Sequence, residues 1–207
     1  MNKSIFNYLA IYGCIVLAIL AITTQAVAQS GESGNVKTSI TSVTNFTHTA
    51  VIPAAGASLS RNNNGVFTNI STSQLTPGHV VTLWWVFFNN PKACVGDVCA
   101  PSDLANPDVN GSLQYGGGYL VGINGRADFS GYLGVGDNTG YFILFPTMPN
   151  PAPGLVNPKS AEIHLVIRDH GPASSDPAIL QQQLTIFGGG CSMSNPCANI
   201  QAAVFSR

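Results

Sequence analysis

The residues with the most chemical capacity lie close together in the last quarter of the chain, in Glu162-Ile-His164-Leu-Val-Ile-Arg168-Asp169-His170-Gly171-Pro172. This stretch holds two of the four histidines, flanked by two acids and an arginine. Glu162 and His164 stand two apart. On a strand they share a face, with Cα atoms about 6.6 Å apart, close enough to share a proton or a metal ion. His170 lies farther along, roughly 20 Å from His164 on a straight strand, which is too far for one ion. A joint site therefore needs a sharp bend near Asp169, which Gly171-Pro172 would allow. The metal reading takes Glu162, His164 and His170, with His79 as a further ligand and copper or zinc as the ion. The competing reading is a solvated strand face on which Arg168 pairs with a neighbouring carboxylate such as Asp128. His79 follows the turn Pro77-Gly78, where capping and packing compete with ligation, and His48 has no ligand-type neighbour in sequence.

Four cysteines form two close pairs, Cys94 with Cys99 and Cys191 with Cys197. An even set in an exported chain reads first as disulfides, and local pairing is the simplest of the three connectivities. A four-thiolate zinc site is the rival. Its usual spacing is two to four residues within a pair, and the second pair exceeds that. Turn formers inside each loop, Gly96-Asp97 and Asn195-Pro196, suit clipped surface loops.

No G-x-S-x-G elbow, H-E-x-x-H helix, Walker loop or G-x-G-x-x-G turn occurs. The chain is expected not to be a conventional enzyme.

The elements that must position these residues read as short strands. His79–Phe88 (HVVTLWWVFF) is apolar on both alternating faces, as a central strand covered on each side should be. Trp84 and Trp85 therefore point to opposite faces and cannot form one flat sugar-stacking platform. Residues 126–135 alternate, and the turn after them predicts a hairpin into 141–145. In 161–168, Ala161, Ile163, Leu165 and Ile167 point inward, with Glu162, His164 and Arg168 opposite. Shorter strands are predicted at 65–70, 113–115, 119–123, 184–187 and 201–205. Between the second and third of these, Gly116 to Gly118 reads as a flexible hairpin tip. Residues 177–183 offer a helical turn or two, and proline-rich 146–158 an irregular loop. The fold expected is all-β, an antiparallel sandwich or Greek-key barrel in a single domain.

Composition agrees. The chain has 207 residues, 45% apolar and only 8% charged, with a net charge of −1. Without a basic stripe, nucleic acid is excluded as a partner. Lys3, the apolar run 15–22 and the small-residue pattern Ala26-Val27-Ala28 make residues 1–28 an export signal, cleaved after Ala28. The apolar region extends back to Ile5, long enough for a membrane association if the segment is retained as an anchor. Cys14 precedes the main apolar run, whereas a lipid-modified cysteine follows one. Residues 29–39 read as a polar, flexible lead-in and 40–207 as the β-sandwich domain.

The approach Leu75-Thr-Pro-Gly-His79, the strand after it and Glu162-Ile-His164-Leu together resemble CHRD-type secreted domains. The resemblance covers about half of the mature chain. It implies a β-sandwich-like module with a histidine-bearing strand and transfers no catalytic residue. The closely spaced histidine pair of that family is missing, because Thr82 follows His79 along the strand.

The expected function is extracytoplasmic binding of a protein or carbohydrate, or an envelope-associated interaction, by a secreted or periplasmic protein. The alternatives are the copper or zinc site just described, in a metal-site protein or a metal-dependent enzyme using His164, Glu162 and His170, and a structural surface or matrix component.

Overall fold

A computed structural model of the chain describes residues 34–44 and 47–206. The export segment, its cleavage point and the start of the lead-in lie outside the described residues. In chain order the strands are β1 (Gly34–Thr38), β2 (Thr41–Thr44), β3 (Thr47–Val51), β4 (Gly56–Arg61), β5 (Gly65–Thr72), β6 (His79–Phe88), β7 (Gly111–Leu120), β8 (Ala127–Gly134), β9 (Glu162–Pro172) and β10 (Ala198–Phe205). A single α-helix among the described residues, α1 (Pro177–Thr185), precedes β10. Three short 3-10 turns lie between β6 and β7, at Pro91–Ala93, Pro101–Ala105 and Pro107–Val109.

Two antiparallel sheets result, ordered β1-β4-β5-β8 and β3-β2-β10-β9-β6-β7. Their facing apolar residues make one core: Leu59, Val66, Ile70 and Phe129 from the smaller sheet, and Leu83, Trp85, Phe87, Ile163 and Leu165 from the larger. Both sheets keep their edges, so the fold is a sandwich and not a closed barrel. Arg61 ties the layers at one end. Its buried guanidinium donates to the carbonyls of Pro158 at 2.7 Å, Ala161 at 2.6 Å and Phe205 at 3.1 Å.

The second apolar face of β6 is also covered. Trp84, Val86 and Phe88 project away from the sandwich into a separate core with Leu104, Val109, Leu113 and Met148. Among the described residues no third sheet supplies this cover. The clipped loop and turns of 91–109, the segment 141–148 and Phe187 do so. Both tryptophans are thus buried, each in its own core.

Several local expectations change. Residues 34–38 are paired to β4 and belong to the sheet, not to a flexible lead-in. Residues 113–115 and 119–123 are not separate strands, because Gly116 to Gly118 lie inside β7, where Gly117 and Gly118 pair with β6 and Gly116 forms a bulge. A Cβ on Gly118 would stand 2.2 Å from the Leu184 carbonyl oxygen, and one on Gly116 2.9 Å from the Trp85 ring. The glycines are there for close packing. Residues 141–145 form no hairpin with β8. Left-handed Gly136 (φ 77°) and Gly140 (φ 69°) turn the chain away, and Tyr141 bridges to Gln114 of β7. Residues 184–187 end α1 and begin the following turn, whereas the helical stretch at 177 and the irregular 146–158 loop are as expected. Among the described residues no helix is long and apolar enough to cross a membrane.

Candidate functional site

Strand β9 is the backbone of the site. Its inward residues fill the sandwich core, so Glu162, His164, Val166, Arg168 and His170 stand together on the outer face. Register places His164 between Val86 and Val204, Val166 between Trp84 and Ala202, and Arg168 between Thr82 and Asn199. This face is roofed, not solvated. Arg168 does not pair with Asp128, which belongs to the other sheet.

Glu162 and His164 do meet. Nε2 of His164 lies 2.8 Å from Oε1 of Glu162, with the two side chains 7% and 1% exposed. The same oxygen accepts the backbone N–H of Cys99 at 2.7 Å, which anchors the clipped loop to the sheet. A carboxylate only accepts, so Nε2 carries a proton toward Glu162 and Nδ1 is the nitrogen left over. Among the described residues Nδ1 has no hydrogen-bond partner, and His164 lines the cavities on both sides of it.

Those two cavities adjoin on the outer face of the larger sheet and are together called the groove. The first, about 340 Å³, is walled by Trp84, Val86, Phe88, Leu104, Leu113 and Leu144, with Arg168, Asn199 and Phe187 at one end. The second, about 220 Å³, continues toward the edge strand, between Val98 to Pro101 and His48. Pro101, His164, Val166 and Asn199 belong to both. The aromatic wall is fixed by edge contacts: Trp84 meets Phe187 at 5.0 Å and Tyr115 at 5.7 Å between ring centres. Tyr115 in turn donates to the Leu184 carbonyl at 2.7 Å.

Arg168 is held by neutral groups. Nε donates to the Phe187 carbonyl at 2.7 Å, one terminal nitrogen to Asn199 Oδ1 at 2.9 Å, and the guanidinium lies 4.1 Å over the Phe187 ring. Burial lowers its pKa from the usual arginine range.

His170 and His79 lie apart from this groove chemistry. His170 is fully buried with both ring nitrogens engaged: Nδ1 donates to the Gly189 carbonyl at 2.8 Å and Nε2 accepts from Thr82 at 2.8 Å. The Thr82 hydroxyl also accepts the Trp84 indole N–H at 2.8 Å, which completes a satisfied chain. Burial is the main cause that pushes the His170 pKa down. His79 pairs with Asp169, its Nδ1 3.0 Å from Oδ2. The four residues of the metal reading therefore split into Glu162 with His164, His79 with Asp169, and His170 alone. The sharp bend needed to join His164 and His170 does not bring them together, and β9 runs on through Pro172.

The cysteines pair locally, Cys94 with Cys99 and Cys191 with Cys197, each with Cα atoms 5.3 Å apart. Two ligand-type clusters converge among the described residues, His170-Cys191-Cys197 and Cys94-Cys99-Asp103. In both, the sulfurs are spent on the disulfides, so no thiolate is available to an ion.

No family model, curated protein or solved structure matches the chain. The groove is read from its own residues.

Phe187, Asn199, Pro101 and Leu144 are groove residues that pattern reading does not single out: Phe187 and Leu144 fall in stretches expected to be strands but are irregular, Pro101 opens a 3-10 turn, and Asn199 lies at the bulged start of β10. One signal pointed toward them: a strand as apolar on its even residues as on its odd ones demands a second cover. A larger depression of about 740 Å³ lies over the other sheet, between Lys37, Asn69 and Asp128. Asn69, Asp128 and Ser130 are solvated there, in contrast to the buried His164 and the half-buried Arg168 and Asn199 of the groove.

Proposed function

We propose that the protein is exported and acts as an extracytoplasmic binding protein, holding a small ligand in the groove over the outer face of its larger sheet. The observation that carries this reading is His164: a buried imidazole, oriented by Glu162, whose other nitrogen has no partner among the described residues and whose side chain lines both cavities. A concave, largely apolar site with a few convergent polar groups is the usual form of a ligand pocket, and its volume falls in that range. The scaffold is preorganised, since the roof is pinned by Glu162 to Cys99, by Arg168 to Phe187 and by both disulfides. Two disulfides suit an oxidising compartment, in keeping with the export signal.

The test is fluorescence. Trp84 lines the cavity while Trp85 faces the opposite core, so a neutral apolar probe such as Nile red should bind saturably and perturb tryptophan emission. Val166→Phe, which fills the floor, should abolish binding while the protein stays folded. Binding that ignores Val166→Phe would contradict the groove.

A second reading rests on one feature. A carboxylate behind an imidazole is the common backing of a metal-bound histidine, and Nδ1 of His164 shares its cavity with His48. In this reading copper or zinc is held by His164 and His48, with Glu162 as backing. Metal analysis of tag-free protein decides: stoichiometric metal lost in His164→Ala supports it, and metal-free protein contradicts it.

A further inference from the structure

We propose that the ligand of the groove is a small organic anion, a carboxylate on an apolar body, whose charged end is held by Arg168. This inference rests on the groove being a binding site and specifies its chemistry.

The argument begins with charge. Arg168 lines the apolar cavity, yet both its oxygen partners, the Phe187 carbonyl and the Asn199 side-chain amide, are neutral. Among the described residues the ion pairs are His79 with Asp169 and His164 with Glu162, and none includes Arg168. A guanidinium partly withdrawn from water keeps a desolvation cost that neutral acceptors offset only in part. Among the described residues no carboxylate pairs with it. Arg61 is also held by carbonyls alone, but it does not line the groove, whereas Arg168 does. The missing charge is what a ligand would supply.

Geometry specifies the anion further. The stack on Phe187 and the Nε bond fix the plane of the fork. The second terminal nitrogen has no partner among the described residues. A planar carboxylate matches such a fork, and a rigid one loses little entropy on binding. Beyond Arg168 the walls are Trp84, Val86, Phe88, Leu104, Leu113 and Leu144, which offer contact to hydrocarbon and no hydrogen bonds from their aliphatic members. A free inorganic anion would leave that wall unused, and a neutral hydrocarbon would leave Arg168 unpaired. Only a molecule with both parts uses the whole cavity.

The experiment is calorimetric titration of the secreted protein with octanoate and with 1-octanol, matched in chain length and differing in charge. Octanoate should bind at least roughly tenfold more tightly than the alcohol, as expected of a charged hydrogen-bonded pair in a partly shielded site. Arg168→Gln should remove that advantage and leave octanol unchanged, and Arg168→Lys should restore part of it. The octanoate to octanol ratio is read on the unaltered protein, so it stands even if Arg168→Gln loosens the fold. Equal binding of the two probes, both blocked by Val166→Phe, would overturn the anion and leave the groove reading intact. Absence of saturable binding by either probe would overturn both.

Discussion

His164 and His170 stand on the same face of one strand, yet their surroundings differ in kind. His170 has a donor and an acceptor for its two nitrogens, and its neighbours are in turn satisfied, through Thr82 to Trp84 and through Gly189. His164 has one nitrogen committed to Glu162 and one without a partner among the described residues, on a side chain that lines a cavity. Burial alone does not separate the two, since both are buried. The difference is the accounting of valences. A buried polar group with every hydrogen bond met holds the fold together, whereas one with a bond left over inside a cavity is available to a ligand.

The comparison can be broken hardest at Trp84, which belongs to both ends: its indole N–H completes the His170 chain and its ring walls the groove. Trp84→Ala should cost about 3–5 kcal/mol and also abolish probe binding, read by denaturant unfolding and titration together. Thr82→Val should affect only the closed end. It leaves the Trp84 N–H and His170 Nε2 without partners, and each orphan costs about 1–3 kcal/mol. Groove affinity should stay unchanged, and a parallel loss of both would merge the two ends into one unit.

Acid sharpens the contrast further. The folded His170 pKa lies below its unfolded value, so between the two the unfolded chain binds the extra proton. Stability is then complete above about pH 6.5 and declines as pH falls below it. Denaturation midpoints at pH 7.5 and 5.5 should show this loss, and His170→Gln should shrink it. The smallest effect belongs to the open end. His164→Gln keeps an N–H for Glu162 and should change stability by less than about 1 kcal/mol, while weakening a ligand bound at Nδ1.

Much of this was legible in residues 79–88 and 161–168, where alternation shows which side chains go inward and which strand must be covered twice. The local disulfides and the helix near 177 were legible as well. The cover itself was not. Residues 91–109, 141–148 and 187–197 have no period, and they are placed by single long-range bonds such as Cys99 N–H to Glu162 and Arg168 to Phe187. Strands β2 to β4 escaped notice because their outward positions carry Ser and Thr, which look like loop composition. A polar face on β9 read as solvated for a related reason: its partners are backbone groups far away in sequence, invisible to any alternation rule.

The central claim is that the open end of β9 is where ligand binds. The two tryptophans give separate indole N–H signals in a proton–nitrogen NMR spectrum of the labelled protein, one facing the groove and one in the inter-sheet core. During titration with a mixture of small organic fragments, the Trp84 indole, the Arg168 Nε–H and the amides of residues 164–168 should move together while the Trp85 indole stays still. Shifts confined to the outer face of the smaller sheet, around Asn69 and Asp128, would contradict the claim.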